Sequence, residues 1–129
     1  MKRFSVSSHE AQEMIDVTDE VQRIVSAQAG ADGLCVVYTP HTTAAMTINE
    51  NADPDVKSDM LLGLERISPE IPQFKHFEHN SSAHLKASLI GSSVTLIVQH
   101  GRLVLGQWQG IYFCEFDGPR KREVIVKVM

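Results

Sequence analysis

Histidine, threonine, asparagine and glutamate crowd the stretch His41 to Asp53, which reads HTTAAMTINENAD. His41, Thr42 and Thr43 stand on one side of the apolar run Ala44 to Met46, and Asn49, Glu50 and Asn51 on the other. Imidazole and carboxylate are the groups that shuttle protons near neutral pH or hold zinc-like metals. The threonine hydroxyls can donate to a phosphate or simply favour β structure. Glu50 follows Ile48 at the strand period of two. If Ile48 enters a core, Glu50 turns inward as well and needs a partner or a task.

A second polar cluster runs from His76 to His84 and includes Glu78, His79 and Asn80. His41, His76 and His84 are candidate ligands for a divalent metal, Mg²⁺ or Zn²⁺, although their spacing does not match the helical HExxH pattern. The bland reading is that such loop histidines are solvated or cap helices. A third feature is DGPRKR, Asp117 to Arg122, with three cations after a tight turn. It reads either as a solvated hairpin tip or as an anion clamp, in which Arg120 would grip phosphate bidentately. Trp108, between Gln107 and Gln109, reads as a strand residue that packs.

Elements must position these groups. Residues 3–8 alternate and suggest a strand, and Met14 to Val17 a second. Thr18 is the expected N-cap of a helix with Asp19 and Glu20 in its first turn and Val21, Ile24 and Val25 on one face. Gly30 and Gly33 bracket its end. Residues 33–38 form a continuous apolar run, a buried strand, and Ala44 to Ile48 another. Asp53-Pro54 starts a helix whose face is Val56, Met60, Leu64 and Ile67. Residues 69–81 read as loop and Ala83 to Ile90 as a short helix closed by Gly91. Strands follow at 93–98, Leu103 to Leu105 and Gln107 to Phe116. His100-Gly101 is a turn and Gly106 a candidate bulge. The last strand puts Val124, Val126 and Val128 on one face. Strands cluster rather than alternate with helices. The expected class is α+β: a two-layer, mainly antiparallel β-sandwich or partly closed barrel with two to three helices.

The length of 129 residues fits a single domain, 1–129. A net charge of −4 gives no global field for nucleic acid or an anionic membrane. Cys35 and Cys114 sit in apolar runs and read as buried, reduced thiols of a cytoplasmic protein. No apolar segment follows the charged MKR start, so no signal peptide is expected, and no run approaches the roughly 20 residues of a membrane span. The residues alone suggest a pocket for a small phosphorylated substrate.

The strings HTTAAMTINENADPDV, AHLKASLIG and GRLVLGQWQGIYFCEFDGPRKREV resemble the YjbQ family, described as secondary thiamine-phosphate synthases. The resemblance runs from about Met14 to Val128. It implies two β-layers with a few helices, assembled as a homotrimer with sites near subunit interfaces. It also implies a weak ability to join hydroxymethylpyrimidine diphosphate to thiazole phosphate. The residues it marks are His41, Thr42 or Thr43, Asn49, Glu50, Asn51, His76, Glu78, His84 and Arg120. One position departs: where this chain has His79, similar sequences usually carry a small residue, often glycine.

The expected mechanism is substitution at the pyrimidine methylene carbon, with diphosphate leaving. Arg120 would stabilise the leaving group, assisted by Mg²⁺ on Glu50 or Glu78, while His41, His76 and His84 orient the diphosphate or move protons. The rivals are a metal-dependent hydrolase of a small phosphate or ester, with the same histidines as ligands, and a non-catalytic phosphometabolite-binding protein. A five-residue strand spans roughly 16 Å, so the two ends of 44–48 are not expected to share one small pocket within a subunit. Either the two ends meet different partners across an oligomer interface, or one end alone is the site.

Overall fold

In the computed structural model, which describes residues 1–28 and 32–129, the apolar runs become eight strands and three helices. In order these are β1 (Lys2–Ser7), β2 (Glu13–Asp16), α1 (Thr18–Ser26), β3 (Gly33–Tyr38), β4 (Ala44–Glu50) and α2 (Pro54–Ile67). Then come α3 (Ser81–Ile90), β5 (Ser93–Gln99), β6 (Arg102–Leu103), β7 (Gln109–Glu115) and β8 (Lys121–Val128). One sheet has the order β1-β8-β3-β5-β6 and the other β2-β7-β4. Every pairing is antiparallel. One of the two sheets curls into a half-barrel, and the fold is α+β as expected.

β4 explains why its run is apolar at successive positions. Ala44 and Met46 face the space between the sheets, with Val21 and Val25 of α1, Val37 of β3 and Val124 and Val126 of β8. Ala45 faces the other way, onto Ala83 and Ala87 of α3 and Met60 and Leu64 of α2. A strand covered on both faces cannot alternate. β8 has one covered face and does alternate, with Val124 and Val126 inward and Lys127 outward. Lys86 of α3 is also buried, and its ammonium pairs with Glu65 of α2 and Gln12. That contact fixes α3 against α2.

Local expectations fail where tertiary contacts claim a side chain. Thr18 begins α1 but does not cap it: Val17 is the N-cap. The Thr18 hydroxyl donates to Asp16 Oδ1 (2.6 Å) and accepts from the Ile111 amide (2.9 Å), so it ties α1 to β7. Ile67 of α2 is exposed, and the packed face is Met60, Leu61 and Leu64. Gly106 is no bulge: it lies in a turn, and its amide donates to Gln109 Oε1. That turn also takes Trp108 out of the strand and leaves it exposed. Gly30 lies outside the described residues. Gly33 has φ of +152°, and a Cβ there would sit 2.2 Å from the Met129 carbonyl oxygen. Both cysteines are free and buried, and burial raises their thiols to about 11 for Cys35 and about 12 for Cys114. Among the described residues no helix is long and apolar enough to cross a membrane.

Candidate functional site

β7 carries one carboxylate in a buried run. By the period of two, Glu115 shares the inter-sheet face with Ile111 and Phe113. Arg122 enters the same space from β8, on the face of Val124 and Val126. Its Nε donates to Glu115 Oε1 (2.8 Å) and its Nη2 to Glu115 Oε2. Ser8 Oγ and the Asp117 amide also donate to the carboxylate, at 2.7 and 3.0 Å. Burial alone would push the Glu115 carboxyl up. The hydrogen bonds from Arg122, Ser8 and Asp117, with the Arg122 charge, outweigh it and hold the group below the usual carboxylate range.

This buried pair shapes the first end of β4. Arg122 Nη2 donates to Thr43 Oγ1 (2.8 Å), so that threonine oxygen is engaged behind the site. The Glu123 amide donates to His41 Nε2 (3.0 Å). A neutral imidazole has one donor and one acceptor nitrogen. With Nε2 accepting, the proton of His41 sits on Nδ1, which makes no hydrogen bond among the described residues. Burial and then the Arg122 charge push the His41 pKa down, against the pull of Glu115 and Glu123. His41 is therefore a fixed neutral donor.

The opposite wall comes from α3 and the loop before it. Asn80 and His84 are spaced i, i+4 and share a helix face. The His76 ring stands edge-on to His84 at 5.5 Å between centroids. Arg120 folds back on the turn: Nε donates to the Asp117 carbonyl (2.7 Å) and Nη2 to its carboxylate (3.0 Å). Its Nη1 has no partner among the described residues. His41, Thr42, Thr43, His76, Glu78, His84 and Arg120 converge on one cavity of about 430 Å³. Asn80, Asp117 and Arg122 line it too; the sequence placed them in the polar cluster and the basic turn but did not mark them as site residues. A second cavity, about 490 Å³, adjoins along His41, Thr42 and His84 and is otherwise lined by Ala44, Ala87, Ser88, Gly91 and Ser92.

The far end of β4 is elsewhere. Asn49, Glu50 and Asn51 line neither cavity, and β4 is seven residues long, about 23 Å at strand rise. Asn49 Oδ1 accepts from the Glu50 amide (2.7 Å), and Asn51 Nδ2 donates to Asp16 (3.2 Å). The Glu50 carbonyl accepts from Tyr112 (3.1 Å).

A metal ligated by His41 does not fit the arrangement. Among the described residues no three His, Cys, Asp or Glu side chains form a group that could hold one. The Nε2 lone pair of His41 is committed to the Glu123 amide. Asn80 Nδ2 donates to both Glu78 (3.4 Å) and Asp117 (2.8 Å), and so occupies the space between those carboxylates that a cation would need. Asn80 Oδ1 is buried with no partner. His79 has φ of +57°. Glycine adopts that conformation freely, which is the physical reason a small residue suits this turn.

The molecule is thus an α+β domain whose two packed sheets present a histidine- and arginine-lined cleft at one end of β4. The family model described as "UPF0047 protein YjbQ-like" matches residues 2–129, and the chain belongs to that family. It is 48% identical to the UPF0047 protein YugU of Bacillus subtilis over 130 residues, covering 100% of this chain and 98% of that one. It is 46% identical to the UPF0047 protein MJ1081 of Methanocaldococcus jannaschii over 127 residues, covering 98% and 92%. The crystal structure of an uncharacterised YjbQ/UPF0047 protein from Clostridium acetobutylicum superposes with a TM-score of 0.97 at 50% identity, covering 100% of both chains.

Proposed function

We propose that the chain is a transferase of the secondary thiamine-phosphate synthase type, joining hydroxymethylpyrimidine diphosphate to thiazole phosphate. The observation that carries this reading is the convergence of His41, Thr42, His76, His84 and Arg120 on one cavity. In the reaction the thiazole nitrogen attacks the pyrimidine methylene carbon. A C–N bond forms, the C–O bond breaks, and diphosphate leaves with the electron pair. Negative charge grows on the departing oxygen, where preset donors lower the barrier. Arg120 Nη1 and His41 Nδ1–H are donors still open to it. His76 and His84 hold the remaining diphosphate oxygens or carry a proton. Asp117 fixes Arg120, and Glu123 fixes His41 through its amide.

The test is incubation of the purified protein with both substrates, read as thiamine phosphate by mass spectrometry. Product is expected, and His84→Ala should abolish most of it. Diphosphate binding with no product over hours would overturn the reading in favour of a phosphometabolite-binding protein. Release of the free pyrimidine alcohol without coupling would favour a hydrolase.

The same reading takes the chain as a cytoplasmic homotrimer, with Glu50 and Asn51 reaching a cleft only through a second copy. Exposed apolar side chains on the outer face of the larger sheet support self-association: Leu34 pairs in register with Ile97, and Tyr38 lies four residues along β3 on the same face. Light scattering at the mass of one chain would overturn that part.

A further inference from the structure

The two adjoining cavities differ in what lines them. The first has every charged group of the site: Arg120, Arg122, Glu78 and Asp117. The second has none. Beyond the shared His41, Thr42 and His84, it presents Ala44, Ala87, Ser88, Gly91 and Ser92. One face of α3 forms a wall of both, because Asn80, His84, Ala87, Ser88 and Gly91 recur at the spacing of successive turns. Asn80 caps the start of that helix and Gly91 its end. The macrodipole puts the helix's positive end beside the charged cavity and its negative end beside the neutral one. Anionic oxygens therefore suit the first, and an uncharged body offering N–H or O–H donors suits the second. The small side chains of Ala44, Ala87, Ser88 and Ser92 make the room for that body.

We propose that the neutral cavity is a second subsite, which takes the uncharged, ring-sized body of an organic phosphate whose phosphate lies in the Arg120 cavity. The bond between phosphate and body then crosses the His41–Thr42–His84 partition, where His41 presents Nδ1–H. This rests on the reading of the Arg120 cavity as the phosphate site, and it adds where the organic part of the substrate lies, for any phosphate or diphosphate ester of a small, uncharged cyclic alcohol. It does not require that the reaction be thiamine-phosphate synthesis.

The test uses inorganic phosphate and benzyl phosphate, titrated calorimetrically into the full-length protein. A buried ring adds apolar burial to the same phosphate contacts, so benzyl phosphate should bind about ten-fold or more tighter than inorganic phosphate. Ser88 is an exposed helix residue, so Ser88→Phe should fold, and it fills the neutral cavity. The variant should lose the advantage of benzyl phosphate and keep its affinity for inorganic phosphate within about two-fold, since the charged cavity is untouched. Equal affinities in the wild type, or an undiminished benzyl advantage in a folded Ser88→Phe, would overturn the second subsite. Arg120→Met should weaken both probes by the same factor. If it weakens neither, the phosphate reading itself fails, and that outcome is separate from any assay of thiamine phosphate.

Discussion

At its first end β4 runs out of His41 to Thr43, which stand over a buried ion pair; at its last it runs into Asn49 to Asn51, which stand over a turn. Both triplets are polar, and both flank the same apolar strand. At the first end the positions are set from behind: Glu115 holds Arg122, Arg122 holds Thr43, and the Glu123 amide holds His41. Donors are left over and point at a cavity. At the last end side chains serve their immediate surroundings, with Asn49 on the next amide and Asn51 on Asp16. Gly110 stays small there because a Cβ would lie 2.5 Å from Asn51 Nδ2. A polar string becomes a candidate site when other residues fix it and leave some of its hydrogen-bonding groups without partners.

The largest break in that comparison is removal of the buried carboxylate. Glu115 is fully buried and Arg122 is 6% exposed. Glu115→Ala strands the guanidinium, and breaking such a pair costs about 3–5 kcal/mol. The urea midpoint should fall accordingly. Replacing both residues with apolar ones should cost much less than the two single losses combined. If Glu115→Ala costs under about 1 kcal/mol, the pair is not what supports the first end.

Next comes His84→Ala. It removes a group that faces the cavity and holds nothing behind it. A donor aimed at developing charge is worth about 3 kcal/mol, so turnover should fall about 10²-fold with the melting temperature unchanged. Full synthase activity in that variant would remove His84 from the mechanism.

The pair also sets a pH dependence. Glu115 is held below the ordinary carboxylate range, and the unfolded carboxyl titrates near about 4.3. A depressed folded pKa gives stability that is complete above the unfolded value and is lost as pH falls through the folded one. The stability gap between the wild type and Glu115→Gln should therefore hold steady from neutral pH down to about 5 and narrow below about 4. A gap that widens on acidification would reverse the sign assigned to this carboxylate.

The sequence carries most of this fold. The order of strands and helices, the buried run 44–46 and the Asp53–Pro54 helix start all follow from local pattern. His41, His76, His84 and Arg120 are visible as residue types. Other features depend on registers that no local pattern encodes. Glu115 is a lone charge within YFCEF, which calls for a partner but does not say that Arg122 answers across the sheets. Asn80 and Asp117 join the site because α3 and the Asp117 turn happen to face each other. The tautomer of His41 is set by an amide 82 residues away. The two ends of β4 could be separated in advance by strand rise alone, but which end has the cavity could not.

The smallest effect sharpens the comparison at the far end. Glu50→Gln changes a group that lines neither cavity, so titrations with inorganic phosphate and benzyl phosphate should match the wild type within about two-fold. A ten-fold weakening of either would show that the far end reaches the cleft. Turnover adds a second reading of the same variant. If it falls while binding holds, the far end of one copy acts at the cleft of another, as the homotrimer reading requires. Mixing Glu50→Gln with His84→Ala chains then decides. Each cleft in a randomly mixed ring draws its histidines from one chain and its glutamate from the next, so about a quarter of the clefts are rebuilt from intact parts. Recovery to that level would place the two ends of β4 at one site after all, joined by symmetry across copies. No recovery would leave Glu50 working through its own chain, by way of the Tyr112 contact and the strand itself.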